Sequence, residues 1–145
     1  MPRIDRAALD HVRFPVTVKV PTRFADLDLQ GHVNNAAVPV ILQESRVDFD
    51  KAVDLRSQLG RMRPMVAGIT IEYAAELTHP GEIEILTGVS TVGRTSFTIQ
   101  QIARQGGKTA VYAETTTVIV DSTGPSALPE GLKHNLETFL LRKTK

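Results

Sequence analysis

Residues 16–54 read VTVKVPTRFADLDLQGHVNNAAVPVILQESRVDFDKAVD, and the spacing of their apolar positions changes once. In residues 16–24, Val16, Val18 and Val20 alternate with Thr17 and Lys19, the period-two pattern of a half-buried strand. From Ala37 onward the period becomes helical. Ala37, Val38, Ile41, Leu42, Ser45, Phe49, Ala52 and Val53 share one stripe, with Gln43, Arg46, Asp50, Lys51 and Asp54 mostly outside it. This spacing predicts a helix over about 36–54, capped by Asn34 or Asn35. Between strand and helix lies a polar turn, Asp26-Leu27-Asp28-Leu29-Gln30-Gly31-His32-Val33-Asn34-Asn35.

The second half reads as strands. Ile69, Ile71 and Tyr73 alternate with polar neighbours, His79-Pro80-Gly81-Glu82 is a turn, and a strand from Glu82 runs to about Val92 with an irregularity at Gly88. Strands over 95–104 and 109–121 flank Gly106-Gly107, a hairpin signal. Leu132, Leu136, Phe139 and Leu140 predict a short amphipathic C-terminal helix, and Arg142-Lys143-Thr144-Lys145 its end or a frayed tail. The layout is α+β in one domain over residues 1–145: an antiparallel sheet packed on a single long helix, because only the sheet can cover that helix's apolar stripe. Its long edges predict a homo-oligomer, a dimer or a tetramer.

Composition narrows the function classes. Seventeen Lys and Arg against sixteen Asp and Glu give a net charge of +1, so no large field steers the chain toward nucleic acid, and no helix-turn-helix segment is present. The absence of cysteine excludes disulfides, thiolate metal sites and a cysteine nucleophile. His11, His32, His79 and His134 are scattered without ligand spacing, so no metal is expected. The longest apolar run, Ala36 to Leu42, contains Pro39 and is too short for a bilayer, and the charged start is unlike a signal peptide; a cytoplasmic protein without membrane association is expected.

The turn before the helix concentrates the chemistry. A carboxylate (Asp28), an imidazole (His32) and two amides (Asn34, Asn35) sit beside a helix N-terminus, whose free N–H groups suit developing negative charge. The same residues also describe a capped loop, with Asp28 in an Asx turn and Gly31 at positive φ, and spacing alone leaves both readings open.

This ten-residue turn, followed by Glu44-Ser45-Arg46, resembles the hotdog-fold acyl-CoA thioesterases of the 4-hydroxybenzoyl-CoA thioesterase type and is similar to the related segment of plant acyl-ACP thioesterases. The likeness continues through Val92-Gly93-Arg94-Thr95-Ser96-Phe97 and Val118 to Asp121, covering about residues 14–121. It implies a hotdog fold and hydrolysis of an acyl-CoA thioester. Asp28 would be nucleophile or general base, and the backbone N–H near Asn35 the oxyanion donor. His32 and Asn34 would shape the site, and Arg94 and Ser96 would line the pantetheine or nucleotide path, often across a subunit interface. No cofactor is implied; coenzyme A enters as part of the substrate.

The sequence departs from this pattern in three places. Pro39 removes a backbone donor in the first helical turns and would delay the helix. Relatives carry an aromatic near Val38, where this chain has Ala36, Ala37 and Val38, which would widen an acyl pocket or belong to a different core. Gln30 stands where the plant-like version has Asn, so that role is not carried over.

Other residues have plainer readings. Glu44 is expected at the surface, paired with Lys51 or Arg46, and His79 in a turn; Arg61, Arg63 and Lys108 could meet phosphates but are more simply solvated. Two further classes stay open: a non-catalytic acyl-CoA-binding or assembly module of the same fold, and a hydratase or dehydratase acting on the acyl chain.

Overall fold

The computed structural model describes residues 3–144. In chain order the elements are α1 (Arg6–Leu9), β1 (Val12–Arg13), β2 (Val16–Pro21), α2 (Val38–Ala52), α3 (Leu55–Leu59), β3 (Arg63–Tyr73), β4 (Glu82–Val92), β5 (Ser96–Gln105), β6 (Lys108–Asp121), β7 (Gly124–Pro125), α4 (Glu130–Glu137) and β8 (Arg142–Lys143). The main sheet is antiparallel in the order β2-β4-β5-β6-β3, with β7 added on β6. It curls around α2, the α+β arrangement expected from the change of period.

Burial follows the sequence stripe closely. Val38, Ile41, Leu42, Ser45, Phe49 and Val53 are buried against the sheet, whereas Ala52 is exposed. Two apolar clusters divide the core along α2. Around its start, Val38, Ile41 and Leu42 pack with Val33, Leu77, Ile83, Ile85 and Val111. Around its end, Phe49 and Val53 pack with Phe97, Ile99, Ile119, Leu132 and Leu136. The amide of Gln101, buried between them, donates to the Leu42 carbonyl and to Thr87. A third cluster lies on the outer face of the sheet, where Ile4, Leu9 and Phe14 cover Ile102 and Tyr112.

Several boundaries differ from the sequence expectations for local reasons. The first strand ends at Pro21, before a single 3-10 turn over Phe24–Asp26. Helix α2 starts at Val38 rather than 36 and its cap is Ala37, not Asn34 or Asn35. Pro39 sits in the first turn, where its missing N–H has no intrahelical acceptor to lose. Strand β3 begins at Arg63, well before the alternating residues, because its first half pairs with the end of β6 while staying exposed, which blurs the period. The irregularity in β4 falls between Val89 and Thr91; Gly88 is instead where Leu141 and Pro15 press on the backbone. Gly106 and Gly107, at φ 59 and 78, make the β5–β6 hairpin as expected. Arg142 and Lys143 are neither helix end nor frayed tail, since they pair with Arg13 and Val12.

Phe49 is fully buried and meets Phe139 edge-on, with centroids 6.0 Å apart. Phe49→Ala is therefore expected to lower unfolding free energy by about 3–5 kcal/mol in denaturant titration. A loss below about 1 kcal/mol would mean that α2 does not organise this half of the core.

Candidate functional site

The turn between β2 and α2 is held from both ends. Arg23 grips the buried Asp26 with two hydrogen bonds, Nε to Oδ2 at 3.0 Å and Nη2 to Oδ1 at 2.8 Å. The guanidinium holds the Asp26 carboxyl below its ordinary range, against the opposing effect of burial. The Asp26 carbonyl accepts the Asn34 N–H at 2.7 Å, and the Val33 N–H donates to the Leu77 carbonyl at 2.9 Å. Residues 27–33 thus fold back on themselves and dock against 77–78 through the Leu27–Val33 and His32–Thr78 bridges. Gly31 takes φ 79 at the bend.

Inside that bend Asp28 is oriented by its own backbone. Its Oδ1 accepts the N–H of Gln30 at 2.8 Å and of His32 at 3.2 Å, while its N–H donates to the His32 carbonyl at 2.9 Å. The Asx turn expected from the capped-loop reading is therefore present. It occupies one carboxylate oxygen, and among the described residues Oδ2 has no hydrogen-bond partner. The His32 ring packs half-buried, with Nδ1 3.1 Å from Glu76 Oε2, close enough for an ion pair when protonated but off the line of a hydrogen bond.

The turn then hands over to α2. Asn34 Oδ1 accepts the Ala36 N–H at 3.0 Å and its carbonyl accepts the Ala37 N–H at 2.8 Å. The Asn35 carbonyl accepts the Tyr73 hydroxyl at 2.9 Å. Among the described residues no acceptor meets the Asn35 N–H. It lies just before the helix start, at the positive end of the α2 dipole.

Asp28, His32, Asn35 and Val38 line one cavity of about 370 Å³ with an apolar floor that includes Val33, Ala75, Leu77 and Val111. Asp28 is exposed on the open side of this hollow. Asn34 is not in the lining; its side chain serves the turn. Of the alanines before Val38, neither Ala36 nor Ala37 lines the hollow. Arg94 and Ser96 are elsewhere. They follow the far end of β4, about 30 Å along the strand from the Asp28 end. Arg94 is exposed, and its carbonyl accepts the Leu128 N–H.

The plainer readings are partly corrected. Glu44 is exposed, but its charge acts on Arg23 rather than pairing with Lys51 or Arg46. His79 is a turn residue whose Nδ1 meets the Thr22 hydroxyl at 2.7 Å. Sequence reasoning missed Tyr73 and Glu76, which carry no motif, and the Arg23–Asp26 pair, visible only as an i, i+3 spacing. Among the described residues no group of three or more His, Asp or Glu side chains could hold a metal, and no helix is long and apolar enough to cross a membrane.

A second hollow, about 690 Å³, opens at the other end of α2. It is lined by Val47, Asp50 and Lys51 of α2, by α3, and by Arg63 and Pro64 at the start of β3. Burial pushes the Asp50 carboxyl up to about 6, with the positive charge of Arg46 acting the other way. The two hollows are the ends of one seam between α2 and β3. The walls of that seam expose Val40, Val47, Val66 and Ile69, each 45–49% accessible.

The thioesterase-like superfamily matches residues 22–136. A curated relative, the uncharacterized protein YsmA of Bacillus subtilis, is 27% identical over 84 residues; the match spans 58% of this chain and little more than half, 57%, of that protein. The PA5185 protein of Pseudomonas aeruginosa superposes with a TM-score of 0.80 at 22% identity, covering 92% of this chain and 99% of that one. A thioesterase of Thermus thermophilus complexed with coenzyme A and Zn superposes with a TM-score of 0.78 at 25% identity, covering 87% and 94%. Both share the hotdog arrangement of a curled antiparallel sheet around one helix.

The raised Asp50 value fixes a sign. The unfolded chain ionises Asp50 near 3.8 and the folded chain near 6, so the native state loses stability as pH rises between these values. Asp50→Asn, which cannot ionise, should match the parent chain below about pH 4 and gain on it by about 1–2 kcal/mol by pH 7, allowing for solvent screening. Thermal unfolding across this range checks it, and a constant difference at all pH values would refute the assignment.

Proposed function

Because the chain belongs to the thioesterase-like superfamily, we propose that it hydrolyses an acyl-CoA thioester to the free acid and coenzyme A, with Asp28 as the reacting carboxylate. The observation that carries this reading is the juxtaposition, in one hollow, of a carboxylate with a free oxygen and an unpaired backbone N–H at a helix start. Asp28 Oδ2 is free to attack the thioester carbonyl, or to take the proton of a water that does so. Charge that develops on the carbonyl oxygen is met by the Asn35 N–H. A preorganised donor of this kind is worth about 3–4 kcal/mol in the transition state. The thiolate leaves readily, so a carboxylate is basic enough and the reaction as proposed uses no cofactor.

The finer reading is the 4-hydroxybenzoyl-CoA thioesterase type. It is supported by the same turn, in which His32 and Asn34 stand around the reacting acid; here Asn34 supports the turn while His32 and Val38 form the wall. A binding module without turnover would not need the free Asp28 oxygen, and a hydratase needs a histidine–acid pair aimed at the acyl chain. His32 faces Glu76, so that second reading has one contact in its favour.

The open seam supports a homodimer. Among the described residues strand β3 bonds only to β6, and its other edge is free. A two-fold axis near Gly68 pairs this edge with itself, antiparallel, and sets Arg63 of one copy opposite Tyr73 of the other. The same axis runs the two α2 helices antiparallel, so that Val40 meets the partner's Val47. Each catalytic turn then gains the partner's β3 start, with Arg94 and Ser96 two strands further across the sheet, as a CoA path shared between subunits requires.

A panel of acyl-CoA thioesters assayed for free thiol tests the activity. Asp28→Asn should lower kcat by about 10²–10⁴-fold with little change in Tm; equal activity in this variant would reject the role. Ile69→Arg should convert a dimer to monomer in sedimentation, and an unchanged mass would reject the β3 interface.

A further inference from the structure

The phenol of Tyr73 takes no part in the hydrolysis proposed for Asp28, yet it reaches into the same turn. Tyr73 is the last residue of β3 and pairs with Val111, a core residue of β6. Alternation along the strand puts its ring on the inner face of the sheet, where it lines the same hollow as Asp28 and Asn35. Glu72 falls on the outer face. There its carboxylate accepts the N–H of Arg3, the N–H of Ile4 at 3.1 Å and the Nε–H of Arg6 at 3.0 Å. Arg6 also lies over the ring of Tyr112, whose hydroxyl donates to Asp10. The end of β3 is thus pinned from outside by residues 3–10, and Tyr73 projects inward from a fixed point.

The Tyr73 hydroxyl donates to the Asn35 carbonyl at 2.9 Å. Partial burial raises the phenol above its ordinary pKa, so it remains a donor through neutral pH. The Asn35–Ala36 peptide is therefore held at both ends: Tyr73 takes its carbonyl and Asn34 Oδ1 takes its N–H. The peptide before it, Asn34–Asn35, is held at its carbonyl by the Ala37 N–H. The group left over is the Asn35 N–H. Asn35 lies in neither a helix nor a strand, so no regular ladder sets the direction of that donor. Only the two dihedral angles of Asn35 separate the two peptides, and fixing one peptide restrains the other. Of the hydrogen bonds on this peptide pair, the one from Tyr73 alone comes from the sheet, across 38 residues of chain.

We infer that Tyr73 is a positioning residue for the oxyanion donor: its hydroxyl, clamped on the Asn35 carbonyl, holds the Asn35 N–H in one orientation. The inference rests on the thioesterase reading with Asn35 as donor, and it adds a residue that acts through the backbone. A donor free to swing has to be ordered during the reaction, whereas a preorganised one does not. The donor meets more negative charge in the transition state than in the ground state. Loosening it therefore lowers kcat and leaves KM nearly unchanged.

Tyr73→Phe keeps the ring and removes only the hydroxyl. On the best ester of the acyl-CoA panel it should lower kcat by about 10–100-fold at nearly constant KM. Backbone ¹⁵N relaxation supplies a readout independent of turnover. The Asn35 and Ala36 amides of the parent should be rigid, with order parameters of about 0.85, and both values should fall in Tyr73→Phe. An undiminished kcat or a change confined to KM overturns the inference. So does a lower kcat with an Asn35 amide as rigid as in the parent, which would mean that the hydroxyl meets the substrate itself. A parent chain that hydrolyses no ester would sink the thioesterase reading, while the relaxation data would still decide whether Tyr73 holds the turn. Hydrolysis by the parent with equal kcat in Tyr73→Phe would do the reverse.

Discussion

One helix cannot cover the whole inner face of a five-strand curl. Helix α2 spends its apolar stripe on β4, β5 and the inner part of β6, where Leu42, Phe49 and Val53 are closed off from water. The strip facing β3 is left over. Its exposed valines on the helix, and the bare backbone edge of β3, are the physical remainder of that mismatch, and both ends of the strip are hollow. Two acids lie along this opening: Asp28 at one end and the half-buried Asp50 at the other.

The turn at the first end shows how a rigid scaffold aims a side chain. The buried Asp26 and its Arg23 partner fix where the chain leaves the sheet. Two amide donors then take one oxygen of Asp28 and leave the other without a hydrogen-bond partner among the described residues. The capped-loop interpretation and the catalytic one are therefore compatible: the Asx turn is the device that orients the acid. Tyr73, reaching from β3 to the Asn35 carbonyl, ties the same turn to the seam, so that events at the edge strand bear directly on the donor before α2.

Much of this was legible in the chain itself. The change from period two to helical period placed β2 and α2, and Gly106-Gly107 placed a hairpin, because those signals are local. The start of β3 was not legible, since an edge exposed on one side has no alternation to read. Neither was the cap of α2: Asn34 and Asn35 are good capping residues, but Asn34 closes its own turn and Pro39 favours a later start. Asp28, His32, Asn35 and Val38 converge in space as their spacing suggests, whereas Arg94 and Ser96 reach a site only if a second subunit brings them. Asp50 stayed hidden because the outer side of a helical stripe looks solvated until the neighbouring wall is known.

The central claim is that closing this seam with a second copy completes the site. Specific thioesterase activity measured over a dilution series, alongside the dimer fraction by mass photometry at the same concentrations, tests it most directly. Activity per chain should fall in proportion to the dimer fraction. A dissociated chain that retains full specific activity would contradict the account.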